Sequence, residues 1–108
     1  MEYQIDIKND IFEAKLSDNI TFSDLDGFRK MIKRMVESHS GSNIVDLSDV
    51  EFIDSAGLGM LLLARDEISK TSSNLTLKSP QGQVRRMFAV ARFEEMFNIE
   101  NDQRLIQD

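Results

Sequence analysis

No cysteine occurs in the 108 residues. A disulfide scaffold and a thiolate zinc site are excluded, and the composition fits the reducing cytoplasm. Basic charge is also short. Against 13 Lys and Arg stand 19 Asp and Glu, for a net charge of -6 and a pI near 4.7. That balance argues against a primary role on DNA, RNA or anionic lipid, all of which attract basic surfaces. Long hydrophobic runs are missing too. The longest, Leu58 to Ala64, is interrupted by Gly59 and falls far short of the roughly 20 residues that span a bilayer. The opening Met1-Glu2-Tyr3-Gln4-Ile5-Asp6 is not a signal-peptide pattern. No internal repeat or low-complexity tract occurs. The expectation is a cytoplasmic protein whose partners are neither nucleic acid nor membrane.

Histidine is nearly absent: His39, in a Gly/Ser-rich loop, is the single one. A serine nucleophile needs a base within hydrogen-bond reach and a group that orients it. His39 is expected at the sheet edge opposite any serine that opens a helix after a strand. There is no G-x-S-x-G elbow, no P-loop, no G-x-G-x-x-G after a strand and no paired histidine. No catalytic residue, no cofactor and no enzymatic activity are therefore expected. Asp46, Asp49, Glu51 and Asp54 lie close in sequence, and four carboxylates admit a metal reading. Solvated loop charge is the simpler account of Asp49 and Glu51, so no metal is expected.

What is present is the material of one small domain over residues 1–108, 41% hydrophobic and 30% charged. Tyr3, Ile5 and Ile7 alternate with polar residues, as do Phe12, Ala14 and Leu16. With the turn signal Asn9-Asp10 between them, Glu2–Lys8 and Ile11–Leu16 read as a hairpin. Thr21-Phe22-Ser23-Asp24 has the form of a capping box. The helix after it buries Leu25, Phe28, Ile32, Met35 and Val36 and turns Lys30, Lys33, Arg34 and Glu37 to water. Ile44–Leu47 reads as a short buried strand, with Phe52-Ile53 continuing it. A second helix runs from Ser55 to about Lys70, a strand covers Leu75–Leu77, and a third helix after Pro80 turns Val84, Met87, Phe88 and Ala91 inward. Leu105 and Ile106 suggest a last short helix. The fold class is α/β: a mixed, mostly parallel sheet with an N-terminal β-hairpin and helices packed on it.

The segment around Asp54-Ser55 carries the function. A strand leads through a short loop to Asp-Ser and then to a helix whose first turn holds Gly57 and Gly59. Ser55 falls where an N-cap belongs, with its hydroxyl at the C-terminal edge of a parallel strand, where ligands and partners act. The two glycines leave little bulk over the helix start, so another surface can approach. An ordinary helix cap has the same composition, and the residue types alone do not separate the two readings.

The run Val45-Asp46-Leu47-Ser48-x-Val50-x-Phe52-Ile53-Asp54-Ser55-Ala56-Gly57-Leu58-Gly59 closely resembles the signature of STAS domains, the sulfate transporter and anti-sigma factor antagonist domains. Ser79-Pro80, Val84-Arg85-Arg86-Met87-Phe88 and Phe93-x-x-Met96-Phe97 resemble the later helix of that family and the strand after it. The resemblance implies that Ser55 is a phosphorylation site. Ala56 stands where the family often has a second hydroxyl. It implies an anti-sigma factor antagonist that binds an anti-sigma factor, typically a serine kinase, until Ser55 is phosphorylated, and that a serine phosphatase resets. A transporter subunit using the same surface as a permanent contact is the alternative, and phosphate on Ser55 separates the two. Asp18 and Thr21 replace a family Gly and Asp in a loop near the phosphosite, and Arg92 replaces a Gly, implying a different helix ending.

On the second helix, Leu58, Leu61, Leu62 and Ile68 form the stripe expected to face the sheet. Ala56, Met60 and Leu63 lie on another face, either against a neighbouring helix or as an exposed strip beginning beside Ser55. The expected partner-binding set is thus Asp18, Thr21, Asp54, Ser55, Ala56, Gly57, Gly59, Met60 and Leu63. Arg85, Arg86 and Arg92 form a basic patch, either a solvated helix face or a docking site for an acidic partner.

Overall fold

Alternating side chains set the sheet. The computed structural model describes residues 1–101 of the chain, and the helix expected around Leu105 and Ile106 lies outside them. Five strands run in the order β1 (Glu2–Lys8), β2 (Ile11–Ile20), β3 (Ser42–Ile53), β4 (Asn74–Lys78) and β5 (Asn98–Glu100). β1 and β2 form the antiparallel hairpin, and every later pairing is parallel. Between the parallel strands lie α1 (Leu25–Glu37), α2 (Ser55–Ser69) and α3 (Gly82–Val90).

The register aligns Ile5, Ala14, Val45, Leu77 and Ile99 across one face. All three helices join that face in a single hydrophobic core, including Phe88 stacked on Phe93 at 4.8 Å and Phe97 tilted against Phe93 at 4.9 Å between ring centroids. The opposite row reads Gln4, Lys15, Asp46, Lys78 and Glu100, and Lys78 pairs with Glu13 across it at 3.8 Å. One apolar and one polar face is the two-residue period of the strands expressed in space.

Two strands are longer than the sequence reading. β2 runs on to Ile20 rather than stopping at Leu16, and β3 is one strand of 12 residues rather than two pieces. The polar stretch Ser48-Asp49 suggests a break that does not occur. Instead β3 carries one extra residue between Asp46 and Asp49, opposite Lys15 and Ser17, and another between Val50 and Phe52, opposite Asp18 and Asn19. Bulges let polar residues sit in a strand without ending it, and they add twist. Asp18 adopts a left-handed φ of 68° beside the second bulge, and Arg92 a left-handed φ of 57° after α3. Both are conformations that glycine adopts without strain and that other residues adopt less readily. At Arg92 the left-handed residue directly follows Ala91, the C-cap of α3.

Candidate functional site at the start of the second helix

β3 runs past the end of its ladder with β4, which closes at Asp46 opposite Lys78. On that side Ile53 is held by a side chain. The Ile53 amide donates to Gln83 Oε1 at 2.9 Å, and Gln83 Nε2 donates to the Ile53 carbonyl at 2.8 Å. The amide of Gln83 thus stands in for a strand, and α3 fixes the residue before Asp54. On the other side the Asp54 amide donates to the Ile20 carbonyl at 3.2 Å.

Asp54, not Ser55, is the N-cap of α2. Its backbone is extended (φ -97°, ψ -179°), and Oδ1 accepts from the Gly57 amide at 2.7 Å. Both residue types cap well, so sequence alone cannot choose between them. The extended conformation that β3 imposes on Asp54 makes the choice. Oδ2 accepts from the Phe22 amide at 3.2 Å. One carboxylate therefore ties the segment after β2 to the start of α2. Ser55 becomes the first helical residue and is exposed.

The predicted partner-binding residues separate into groups. Thr21, Asp54, Ser55 and Ala56 meet at this junction. Thr21 caps a 3-10 turn over Phe22–Asp24, in a capping box with Asp24 as expected. Asp24 also accepts from the Met1 ammonium at 2.9 Å. Burial raises the Asp24 carboxyl, but the hydrogen bond from the Thr21 amide and the bond and charge of the ammonium outweigh it, and the net direction is downward.

Gly57 is buried. A Cβ there would fall 2.6 Å from the Ile20 carbonyl oxygen and 2.5 Å from Ile53 Cγ1, so this glycine serves the packing of α2 on the sheet and not the approach of a partner. Gly59 is exposed with nothing within 4 Å of a Cβ, and there the expected openness is present. Asp18 lines a neighbouring cleft with Ser48, Asp49, Glu51 and Gln81. His39 is an exposed loop residue.

Met60 does not belong to an exposed strip. It is 3% exposed and lies in the core with Gly57, Leu61, Ala64 and Ile68. Leu62, expected to face the sheet, is exposed, while Leu63 and Ala56 are half-buried. α2 is apolar on nearly every side, so its periodicity does not define the inward face. The outward line is Ser55, Gly59, Leu62 and Asp66, with spacings of four, three and four. Sequence reasoning missed Gln83 and Phe22. Phe22 is 74% exposed, and an aromatic residue inside a capping box was its only signal. Among the described residues, no cluster of His, Asp or Glu is arranged to hold a metal ion, and no helix is long and apolar enough to cross a membrane.

The same architecture occurs in known proteins. A solved anti-sigma factor antagonist from Mycobacterium paratuberculosis superposes with a TM-score of 0.83 at 18% identity, covering 94% of this chain and 86% of that one. The Bacillus cell fate determinant SpoIIAA in its phosphorylated form gives 0.69 at 16% identity, over 97% and 96%. A sulfate transporter family protein from Wolinella succinogenes gives 0.74 at 14%, over 91% and 83%. These likenesses establish the fold. A STAS-domain containing protein of Pseudomonas aeruginosa is 38% identical over 56 residues, 52% of this chain and 55% of that protein, so the match spans about half the length of each. The STAS domain model matches residues 2–104, nearly the whole sequence, and the chain belongs to the STAS domain family.

Proposed function

We propose that this chain is an anti-sigma factor antagonist, a protein-binding switch without catalytic activity of its own. Unmodified, it binds an anti-sigma factor that is also a serine kinase. Phosphorylation of Ser55 releases that partner, and a serine phosphatase restores the binding form. The observation that carries the reading is the position of Ser55: exposed, first in α2, and directly after the carboxylate that caps the helix. Two solved relatives of this fold, one described as an anti-sigma factor antagonist and one as a phosphorylated cell fate determinant, support it.

The physical effect of the modification follows from its surroundings. A phosphoserine carries about -1.5 to -2 charges near neutral pH. At Ser55 it lies at a helix N-terminus, where the dipole favours an anion, so the free protein tolerates it. Beside Asp54 on a contact surface it adds like-charge repulsion and a desolvation cost, which a docked partner cannot avoid. The modified chain keeps its fold and loses its partner.

The test is labelling by the partner kinase with radioactive ATP, mapped by mass spectrometry. Wild type should be labelled at Ser55 and Ser55→Ala left unlabelled, because Ala56 offers no second hydroxyl. Full labelling of Ser55→Ala would put the switch elsewhere. The sulfate transporter relative favours a second reading, a permanent subunit of a transport complex. Under that reading Ser55 carries no phosphate in the cell, and a permease or ATPase subunit co-purifies in fixed ratio.

A further inference from the structure

On this acidic chain α1 carries a basic surface that borders an apolar groove, and a second basic patch, Arg85, Arg86 and Arg92, lies exposed on and just after α3. On α1, Arg29, Lys30, Lys33 and Arg34 are all exposed. None of them forms an ion pair among the described residues. Arg29 and Lys33 stand at i and i+4, a like-charge spacing that weakens an isolated helix. They flank a cleft between α1 and α2 that is also lined by Ile32, Val36 and Leu63. Ile32 is buried, and Val36 and Leu63 are partly buried against the core. The carboxylates that line the cleft, Glu37 and Glu67, belong to the C-terminal turns of the two helices, away from Ser55. The remaining charged lining, Arg29 and Lys33, is basic and stands beside the apolar walls, on a molecule whose net charge is -6.

On α2 the cleft wall at Leu63 lies on the flank that begins beside Ser55. Leu63 and Ala56 share one flank of α2 at i and i+7, and Ser55 adjoins Ala56. Gly59 lies on the adjacent outward line with Ser55 and Leu62, with open space above it. The 3-10 turn bearing Phe22 touches both helices at this end, and Phe22 is held there by the Asp54 carboxylate.

We infer that the α1–α2 groove is a docking site for an amphipathic helix of the partner, one that carries carboxylates beside its apolar stripe. The apolar stripe fills the space over Ile32, Val36 and Leu63, the carboxylates meet Arg29 and Lys33, and Phe22 anchors the end nearest Ser55. This rests on the partner-switching reading and supplies what that reading lacks, a reason for the phosphate to act at a distance from most of the contact area. An acidic helix is drawn to the basic wall and repelled by new negative charge at its mouth. The same groove with a basic helix as occupant would be strengthened by phosphorylation, the opposite of a release switch.

The experiment is calorimetric titration of the purified kinase that labels Ser55 with four forms of the chain: wild type, Arg29→Glu/Lys33→Glu, Phe22→Ala and Ser55→Asp. The substituted side chains are exposed, so melting temperatures should stay close to wild type. The charge-reversed pair and Phe22→Ala should each bind about tenfold more weakly or worse, and the charge-reversed pair should lose most of the salt dependence seen with wild type. Affinity of the charge-reversed pair within about twofold of wild type would overturn the groove as the docking site. Ser55→Asp separates the two claims. If it alone loses binding, the switch stands and the groove falls. If it binds like wild type while the groove variants fail, the groove stands and the switch falls.

Discussion

Gly57 and Gly59, both in the first turns of α2, have opposite roles. Gly57 sits where a Cβ would collide with the Ile20 carbonyl and Ile53, and a backbone atom cannot swing aside as a side chain can. Gly57→Ala should destabilise the protein by about 1–3 kcal/mol through overpacking. Gly59 meets nothing, so Gly59→Ala should stabilise it by about 0.5–1 kcal/mol through helix propensity. Urea unfolding of the two variants checks both signs at once. A second residue-scale prediction concerns acid. The Asp24 carboxyl is held below its ordinary value of 3.8, so it binds protons more weakly folded than unfolded. Its contribution is present in full above that ordinary value and is lost as pH falls through the lower folded value. Asp24→Asn should therefore cost about 1 kcal/mol at neutral pH. The gap from wild type should close in acid below about pH 4, as followed by thermal melts across pH. A gap that widens in acid would contradict this role for Asp24.

Individual elements show what the sequence revealed and what it hid. The hairpin and α1 were legible because their polar and apolar residues alternate cleanly, at period two in one and in a helical stripe in the other. The bounds of α2 were legible too, while its inward face was not. Every residue from Ala56 to Ala64 is apolar or glycine, and so is Ile68, so several faces satisfied the same template. The sheet chose Gly57, Met60, Leu61, Ala64 and Ile68, because only a face with a glycine at its head fits against Ile20 and Ile53. The unbroken β3 was hidden by its bulges, which require the partner strand to be seen. The clamp of Gln83 on Ile53 was hidden for a similar reason: a side-chain amide replacing a strand has no local signature. Gln83→Leu leaves the Ile53 amide and carbonyl without that partner and should cost about 1–3 kcal/mol. Amide hydrogen exchange should show the loss centred on Ile53 and the start of α2. Uniform loss of protection would mean that Gln83 supports the fold generally and does not position the site.

For the molecule as a whole, the fold places the Ser55 hydroxyl where three elements converge. β3 presents Asp54-Ser55, α3 fixes the strand through Gln83, and the turn before α1 is tied in through Phe22. The family resemblance pointed to Ser55, and under the proposed switch a phosphate at this exposed position would bear on a partner without disturbing the core. The single most direct measurement is the affinity of the partner kinase for the unmodified chain and for the chain stoichiometrically phosphorylated at Ser55, by calorimetry at one ionic strength. The phosphate should weaken binding about tenfold or more, with an unchanged circular dichroism spectrum. Equal affinities would contradict the switch.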